Sequence, residues 1–113
     1  MNRGDVVALD WPFTDLTGSK PRPAVVVQAD FLNGRIDDSI LVLITRRVRS
    51  ASGTESVIDP AQETASGLSH VSVASCTNLL TVDQALIHRT IGYLTDAAMR
   101  QVNDCLKTAL ELP

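Results

Sequence analysis

The stretch Lys20-Pro21-Arg22-Pro23-Ala24-Val25-Val26-Val27 predicts an apolar strand whose entrance carries an arginine between two prolines. Each proline fixes its own φ and pushes the preceding residue out of the helical region, so we expect Arg22 in extended backbone where the strand begins. The unbroken valine run indicates a strand that is buried on both faces. A guanidinium on a stiff backbone is a charge with a fixed position, which suits the binding of a phosphate.

The rest of the chain predicts short strands followed by one helix. The strand candidates are residues 6–9, 23–29, 40–45, 56–59, 71–75 continued by 79–82, and 91–94. Residues 14–21 are turn-forming in nearly every position, which predicts a mobile loop. Thr95 is a candidate N-cap for a helix whose apolar side chains recur at three- and four-residue spacing from Ala98 to Leu110. This order favours a small, strongly curved antiparallel sheet or barrel with a C-terminal helix, in one domain over residues 1–113.

The composition is that of a globular domain. The chain has 113 residues, of which 44% are hydrophobic, enough for one core and too few for two. It contains no apolar run near the ~20 residues of a membrane span and no signal peptide, so we expect a soluble, cytoplasmic protein without membrane contact. Cys76 and Cys105 lack the spacing of a metal site or a disulfide framework, and we interpret them as reduced residues in or near the core.

The net charge of −3 counts against a nucleic-acid partner, but the charges are unevenly distributed. Residues 1–50 carry seven basic and six acidic side chains, whereas residues 51–113 carry three basic and seven acidic ones. Arg46, Arg47 and Arg49 are close together in the first half. Cationic potential is therefore expected in the first half of the chain.

Few residues are candidates for chemistry. Cys/His clusters with metal-ligand spacing, nucleophile-elbow motifs and phosphate-binding glycine motifs are all absent from the sequence. His70 and His88 each lie between polar residues near a strand end, and we interpret both as solvated side chains without an assigned role. If the second and third strands pair antiparallel, Arg22 and Thr45 lie at the same rim. By spacing alone, Thr45 can equally be an ordinary strand residue.

Several segments in order carry a family resemblance. They are Gly4-Asp5-Val6-Val7, Trp11-Pro12-Phe13-Thr14-Asp15, Gly18 to Val27, Ile44-Thr45, Gly67-Leu68 with Val71, Leu79-Leu80-Thr81-Val82-Asp83 and Ile91-Gly92-Tyr93-Leu94. Together they resemble the MazF/PemK family, the toxins of type II toxin–antitoxin pairs. The resemblance spans essentially the whole chain, and its most specific part is the Gly-Asp opening followed at this distance by Arg-Pro-Ala-Val-Val.

The resemblance implies an SH3-like β-barrel with a C-terminal helix that works as a homodimer. It also implies an endoribonuclease that cleaves single-stranded RNA at preferred sequences without metal or cofactor, leaving a 2′,3′-cyclic phosphate and a 5′-hydroxyl. Arg22 and Thr45 match the catalytic residues of the family, and residues 14–21 match its flexible loop over the site. A cognate antitoxin is expected to fold over the same groove, and the toxin–antitoxin complex is expected to bind DNA through the antitoxin.

Physical chemistry narrows the roles that this resemblance implies. Guanidinium keeps its proton far above neutral pH, so we assign Arg22 to charge stabilisation of the phosphorane rather than to base action, with proton donation to the leaving 5′-oxygen as an alternative role. The expected substrate-binding residues are Lys20, Ser19, Arg46, Arg47, Trp11, Phe13 and Asn78. Trp11 and Phe13 are expected either to stack on bases or to anchor the loop to the core. Arg46 and Thr77-Asn78 depart from the residues that are frequent in the family at those positions.

Two other functions fit the same fold. One is a non-enzymatic poison resembling the CcdB inhibitors of DNA gyrase, which has no need of Arg22 and Thr45. The other is a degenerate relative that binds only RNA or an antitoxin. The ribonuclease hypothesis predicts a positive groove lined by Lys20, Arg22, Arg46 and Arg47 despite the acidic balance of the chain.

Overall fold

A computed structural model of the chain describes residues 1–48 and 53–113. These residues form one antiparallel sheet, a single-turn helix and a longer C-terminal helix. The strands are β1 Asp5–Pro12, β2 Ser19–Val26, β3 Asp38–Thr45, β4 Glu55–Ile58, β5 Ser72–Asp83 and β6 Arg89–Tyr93. The helices are α1 Asp30–Asn33 and α2 Asp96–Leu110, and a 3₁₀ turn spans Gln84–Leu86. No helix in the described part of the chain is long and apolar enough to cross a membrane.

The six strands form a curled antiparallel sheet in the order β4-β5-β3-β2-β1-β6. Two irregularities bend it: the register shifts between Val6 and Val7 where β1 meets β6, and between Val42 and Leu43 where β3 meets β5. Such bulges increase the local twist of a sheet. The predicted class of a small, strongly curved antiparallel sheet with a C-terminal helix is confirmed, although the edges β4 and β6 do not pair to close a barrel.

The central strands are buried on both faces. Ala24, Val25 and Val26 of β2 are all fully buried, as the valine run predicts. The residues packed on the face toward α2 include Val6, Val25, Val42, Ile44, Ile58, Ala74, Leu94, Met99 and Val102. The opposite face packs Val7, Leu9, Trp11, Ala24, Val26 and Leu41. Alternate residues of one strand thus support two separate apolar clusters, which fixes the register of the sheet.

The predicted loop over residues 14–21 is too long, and the predicted start of the second strand is too late. β2 begins at Ser19, and Pro21 lies opposite Asp10 of β1. β2 pairs with β3 only through residues 24–26, and Val27 donates its N–H to Ile40 on the β3 side. By strand alternation, the backbone nitrogens of residues 21 and 23 point to the same side as that of Val27, toward β3. Both residues lie beyond the end of the β2–β3 pairing, so their missing N–H groups break no ladder hydrogen bond. The prolines are therefore tolerated inside the strand.

The second half of the chain follows the predicted pattern more closely. The two apolar segments at residues 71–75 and 79–82 are the two halves of β5, and residues 76–78 between them have no partner in β3. The hydroxyl of Thr95 accepts the N–H of Ala98 at 3.2 Å, which makes Thr95 the N-cap of α2 as expected. Cys76 and Cys105 are both buried and free, in agreement with the sequence prediction.

Candidate active site

Arg22 and Thr45 lie at the same end of the β2–β3 pair. Ala24 of β2 faces Leu43 of β3, and continuing that register by two residues places Arg22 opposite Thr45. β2 runs past the last paired position with only β1 as its neighbour, since Arg22 pairs with Leu9. A groove opens at this end of the sheet, and the side chains of Arg22 and Thr45 both line it.

This groove, which we call the catalytic groove, encloses about 420 Å³. One wall comes from the ends of β2 and β3, and the other from the segment before β5. Its lining residues are Lys20, Arg22, Pro23, Ile44, Thr45, Arg46, Arg47, Leu68, Ser69, His70 and Ser72. Four of these side chains are cationic and none is a carboxylate, in a chain whose net charge is −3. These charges create a local positive potential in the groove, which favours the binding of a phosphate backbone.

The cations of the groove are free to bind an anion. Within residues 1–48 and 53–113, the one ion pair joins His88 to Asp10 at 3.5 Å and involves no groove residue. Arg22 donates from one terminal nitrogen to the carbonyl of Pro21 at 3.1 Å. The guanidinium has five N–H donors, so most of its fork remains available.

Thr45 is held by the turn that ends β3. Its hydroxyl oxygen accepts the backbone N–H of Arg47 at 3.1 Å, which orients the side chain. Among the described residues, the hydroxyl proton of Thr45 meets no acceptor, and it remains available as a donor. The half-buried position of Thr45 keeps this donor at the groove wall.

A second groove, the aromatic groove, continues from the first. It shares Lys20, Arg22, Thr45 and Arg47 with the catalytic groove and adds Trp11, Pro12, Phe13, Thr14, Leu43 and Asn78. Trp11 is only 8% exposed and packs in the apolar cluster with Leu9, so anchoring to the core describes it better than base stacking. Phe13 is 45% exposed and presents its ring to solvent. The Asn78 amide donates to the Ser75 hydroxyl at 2.8 Å.

The loop between β1 and β2 forms a hydrogen-bonded turn that borders the aromatic groove. The N–H of Phe13 donates to the carbonyl of Gly18 at 2.8 Å. Asp15 accepts both the N–H and the hydroxyl of Thr17, and these hydrogen bonds lower the pKa of its carboxyl. Ser19, which follows the turn, lines neither groove, and Arg49 lies outside the described residues.

His70 is the groove residue to which the sequence interpretation gave no role. It is exposed, as expected for a solvated histidine, yet it lines the catalytic groove with Arg22 and Thr45. The topology explains this position: Val73 of β5 pairs with Thr45 of β3, and His70 lies three residues before Val73. A sequence analysis that predicted the pairing of β5 with β3 would have placed His70 near Thr45.

The described residues contain no cluster of three or more His, Cys, Asp or Glu side chains placed to hold a metal ion. Apart from the apolar Pro23, Ile44 and Leu68, the described lining of the catalytic groove consists of cations, hydroxyls and one imidazole. The chemistry on offer in this part of the chain is therefore charge stabilisation, hydrogen-bond donation and proton transfer.

The chain combines a curled antiparallel sheet, a C-terminal helix and a cationic groove at the rim of the sheet. This architecture is that of a class of small toxins, and the sequence comparison assigns the chain to the same class. Residues 2–110 match the model of the PemK-like, MazF-like toxins of type II toxin–antitoxin systems. The chain belongs to this family, which confirms the resemblance drawn from its motifs.

Solved structures share the fold over nearly their full length. One is an endoribonuclease in complex with its cognate antitoxin from a mycobacterial species, with 24% identity, a TM-score of 0.82, and coverage of 100% of this chain and 97% of that one. Another is the Mycobacterium tuberculosis toxin MazF-mt6, with 24% identity, a TM-score of 0.79, and coverage of 96% and 98%. A MazE–MazF structure from Deinococcus radiodurans has 20% identity, a TM-score of 0.75, and coverage of 100% and 98%. At these identities, the similarity shows the fold alone.

Proposed function

We propose that this toxin is a metal-independent endoribonuclease that cleaves single-stranded RNA. The observation that carries the proposal is the catalytic groove, in which Arg22 and Thr45 lie among three further cations and no carboxylate among the lining residues that the structure describes. The ribose 2′-hydroxyl attacks the adjacent phosphorus, giving a 2′,3′-cyclic phosphate and a 5′-hydroxyl.

Arg22 and Thr45 stabilise the charge that develops in this reaction. The pentacoordinate phosphorane carries more negative charge on its oxygens than the ground state does, so donors aimed at those oxygens lower the barrier. The planar fork of Arg22 suits two phosphorane oxygens at once. The Thr45 hydroxyl, oriented by the N–H of Arg47, donates a further hydrogen bond.

The remaining cations and the aromatic groove bind the RNA strand. Lys20, Arg46 and Arg47 contact backbone phosphates, which is sequence-independent binding. The exposed ring of Phe13 stacks on a base, and the Asn78 amide contacts a base edge in the aromatic groove. The residues shared by the two grooves let one strand pass from the first into the second.

A cognate antitoxin is part of the proposal, and so is the homodimer that the family resemblance implies. One mycobacterial structure of the same fold is an endoribonuclease with its cognate antitoxin, and the Deinococcus radiodurans structure is a MazE–MazF pair. We expect the antitoxin of this chain to place an acidic segment against Lys20, Arg22, Arg46 and Arg47, since these cations carry no carboxylate partner within the described residues. Such a segment excludes RNA by occupying its binding site.

The test is cleavage of a mixed RNA in excess chelator, with both new ends mapped. Wild-type protein is expected to give 5′-hydroxyl and 2′,3′-cyclic phosphate ends, and Arg22→Ala is expected to lose the activity. Arg100→Ala is the matched control, because Arg100 is an exposed arginine of α2 outside both grooves. Activity that disappears on adding chelator would refute metal independence. Gyrase inhibition without RNA cleavage would support the CcdB-like alternative.

A further inference from the structure

We propose that His70 is the general base of the RNA cleavage and accepts the proton of the attacking 2′-hydroxyl. The inference rests on the proposed function and adds to it the group that removes this proton. It follows from three features of the catalytic groove: the kinds of side chain in its lining, the anchoring of the segment that carries His70, and the hydrogen bond on the imidazole ring.

The lining offers a single side chain suited to accept a proton near neutral pH. Lys20, Arg22, Arg46 and Arg47 belong to residue types that hold their protons well above pH 8. The Thr45 hydroxyl is an alcohol and a hydrogen-bond donor, not a base. Within the described residues, the groove has no carboxylate, and His70 is its one imidazole. Histidine is the side chain that most often performs general acid–base catalysis at this pH.

The backbone around His70 is fixed from both sides. The Ser72 hydroxyl donates to the carbonyl of His70 at 3.0 Å, at the start of β5. On the other side, the Ser66 hydroxyl oxygen accepts the N–H of Leu68 at 3.2 Å. Ser66 itself is fully buried. The imidazole is therefore carried by an anchored segment, as a preorganised catalytic group requires.

The anchor extends to the edge of the sheet through glycine. Gly67 has φ +74°, and a Cβ at this position would collide with the carbonyl of Ile91 in β6. The N–H of Tyr93 donates to the carbonyl of Ala65 at 2.9 Å, which ties the same segment to β6. Close backbone approach of this kind is available only to glycine. Residues 65–67 are thus fixed against the strand edge, three residues before His70.

A hydrogen bond on the ring is compatible with Nε2 as the reactive nitrogen. The Ser69 hydroxyl and the Nδ1 atom of His70 are 3.0 Å apart. In the tautomer in which Nδ1–H donates to Ser69, the lone pair lies on Nε2. Nε2 is then the atom that accepts the proton from RNA.

The step balances without a co-reactant. The 2′-O–H bond breaks, its proton goes to Nε2 of neutral His70, and the oxygen electron pair forms the O2′–P bond. The P–O5′ bond then breaks, its electron pair stays on O5′, and O5′ takes a proton from water. The imidazolium returns its proton to the hydroxide so formed. The net change is the transfer of one proton from O2′ to O5′.

The charged neighbours of His70 do not mask its contribution to the pH dependence of the cleavage rate. Lys20 and Arg22 face it from β2, and Arg46 and Arg47 face it from the end of β3. None of these residue types changes charge between pH 5 and 8. His88 is the other histidine. It pairs with Asp10 and lies outside both grooves, in a neighbouring pocket that it shares with Arg22, Ser69 and Arg89, so His88→Gln is the control that separates its titration from that of His70.

The experiment measures single-turnover RNA cleavage in chelator between pH 5 and 9 for wild type, His70→Gln and His88→Gln. His70→Gln is expected to lower the rate at pH 7.5 by about 10²- to 10⁴-fold, the usual contribution of a general base. It is also expected to remove the limb of the profile that rises with pH. His88→Gln is expected to keep both the rate and the limb. Affinity for RNA made uncleavable by a 2′-deoxy sugar at the mapped site is expected to change little in His70→Gln.

A second variant separates chemistry from structure. His70→Gly leaves a space at the groove wall, and added imidazole is expected to restore part of its rate in proportion to imidazole concentration. One outcome would overturn the role of His70 and leave the proposed function intact: the wild-type protein cleaves RNA, Arg22→Ala does not, and His70→Gln keeps the wild-type rate and pH profile. Absence of cleavage by the wild-type protein would overturn both.

Discussion

Replacing Thr45 by valine separates the hydroxyl of the proposed site from the strand that holds it. Valine has the same shape and is also β-branched, so the pairing of this position with Val73 is expected to persist. The substitution removes two things: the acceptor for the N–H of Arg47, and the donor that faces the groove.

The two losses have different magnitudes. The hydrogen bond from the Arg47 N–H measures 3.1 Å and lies at an exposed residue where water can replace it, so its loss costs about 1 kcal/mol or less. In a domain of this size, that lowers Tm by roughly 4 °C. Loss of a preorganised donor to a phosphorane oxygen lowers the cleavage rate by about 10²- to 10³-fold. Activity should therefore fall far more than stability.

Thr45→Ser is the matched control, because it restores the hydroxyl without the methyl group. The assays are single-turnover cleavage of RNA in chelator and thermal unfolding by circular dichroism. We expect the serine variant to recover most of the cleavage rate that valine loses. A Thr45→Val variant that cleaves RNA at the wild-type rate would refute the assignment of the hydroxyl as a donor. A Thr45→Ser variant that cleaves as slowly as Thr45→Val, at equal folded content, would refute it as well.

Three other properties can be tested separately. Arg22→Lys keeps the charge but loses the planar fork, so RNA affinity should change little while the cleavage rate falls by about tenfold or more; equal rates for lysine and arginine would contradict the bidentate role. Gly92→Ala places a Cβ into the backbone of Ala65 and Ser66, so urea denaturation should show a loss of about 1–3 kcal/mol in the free energy of unfolding, and unchanged stability would show that this approach is looser than described. Burial raises the pKa of the Cys76 thiol to about 12 from its usual 9.0, so the native protein should react with a thiol reagent at pH 8 far more slowly than the unfolded chain does. Because only the unfolded thiol ionises between about pH 9 and 12, the free energy of unfolding should also fall as pH rises through that window, and Cys76→Ala should reduce the fall.

The elements that were predicted well are those whose cause is local. The valine run at residues 24–26 is apolar on both sides of the strand, and burial on both faces follows directly. Thr95 caps α2 because its hydroxyl reaches the N–H of Ala98 three residues away. Both features depend on residues close together in sequence.

The loop before β2 was predicted wrongly for a non-local reason. When the neighbouring strands are unknown, Pro21 indicates a loop and Pro23 the first residue of a strand. They are compatible with β2 because β3 stops pairing at Ala24, which leaves the proline side of β2 without a partner strand. The length of one strand thus determines what its neighbour tolerates.

The sequence by itself determined the family, the strand-rich order with its final helix, and Arg22 on stiff, extended backbone next to the buried valine run, because these depend on motifs, periodicity and proline geometry. Only the tertiary structure decided which side chains share the groove. His70 joins Arg22 and Thr45 because β5 pairs with β3 and because residues 65–67 are anchored against β6. Both are contacts between residues distant in the chain. Trp11 was likewise assigned to the core by packing, while Phe13, two residues later, remained exposed. Local sequence sets the backbone preferences of each residue, but strand pairing sets its neighbours.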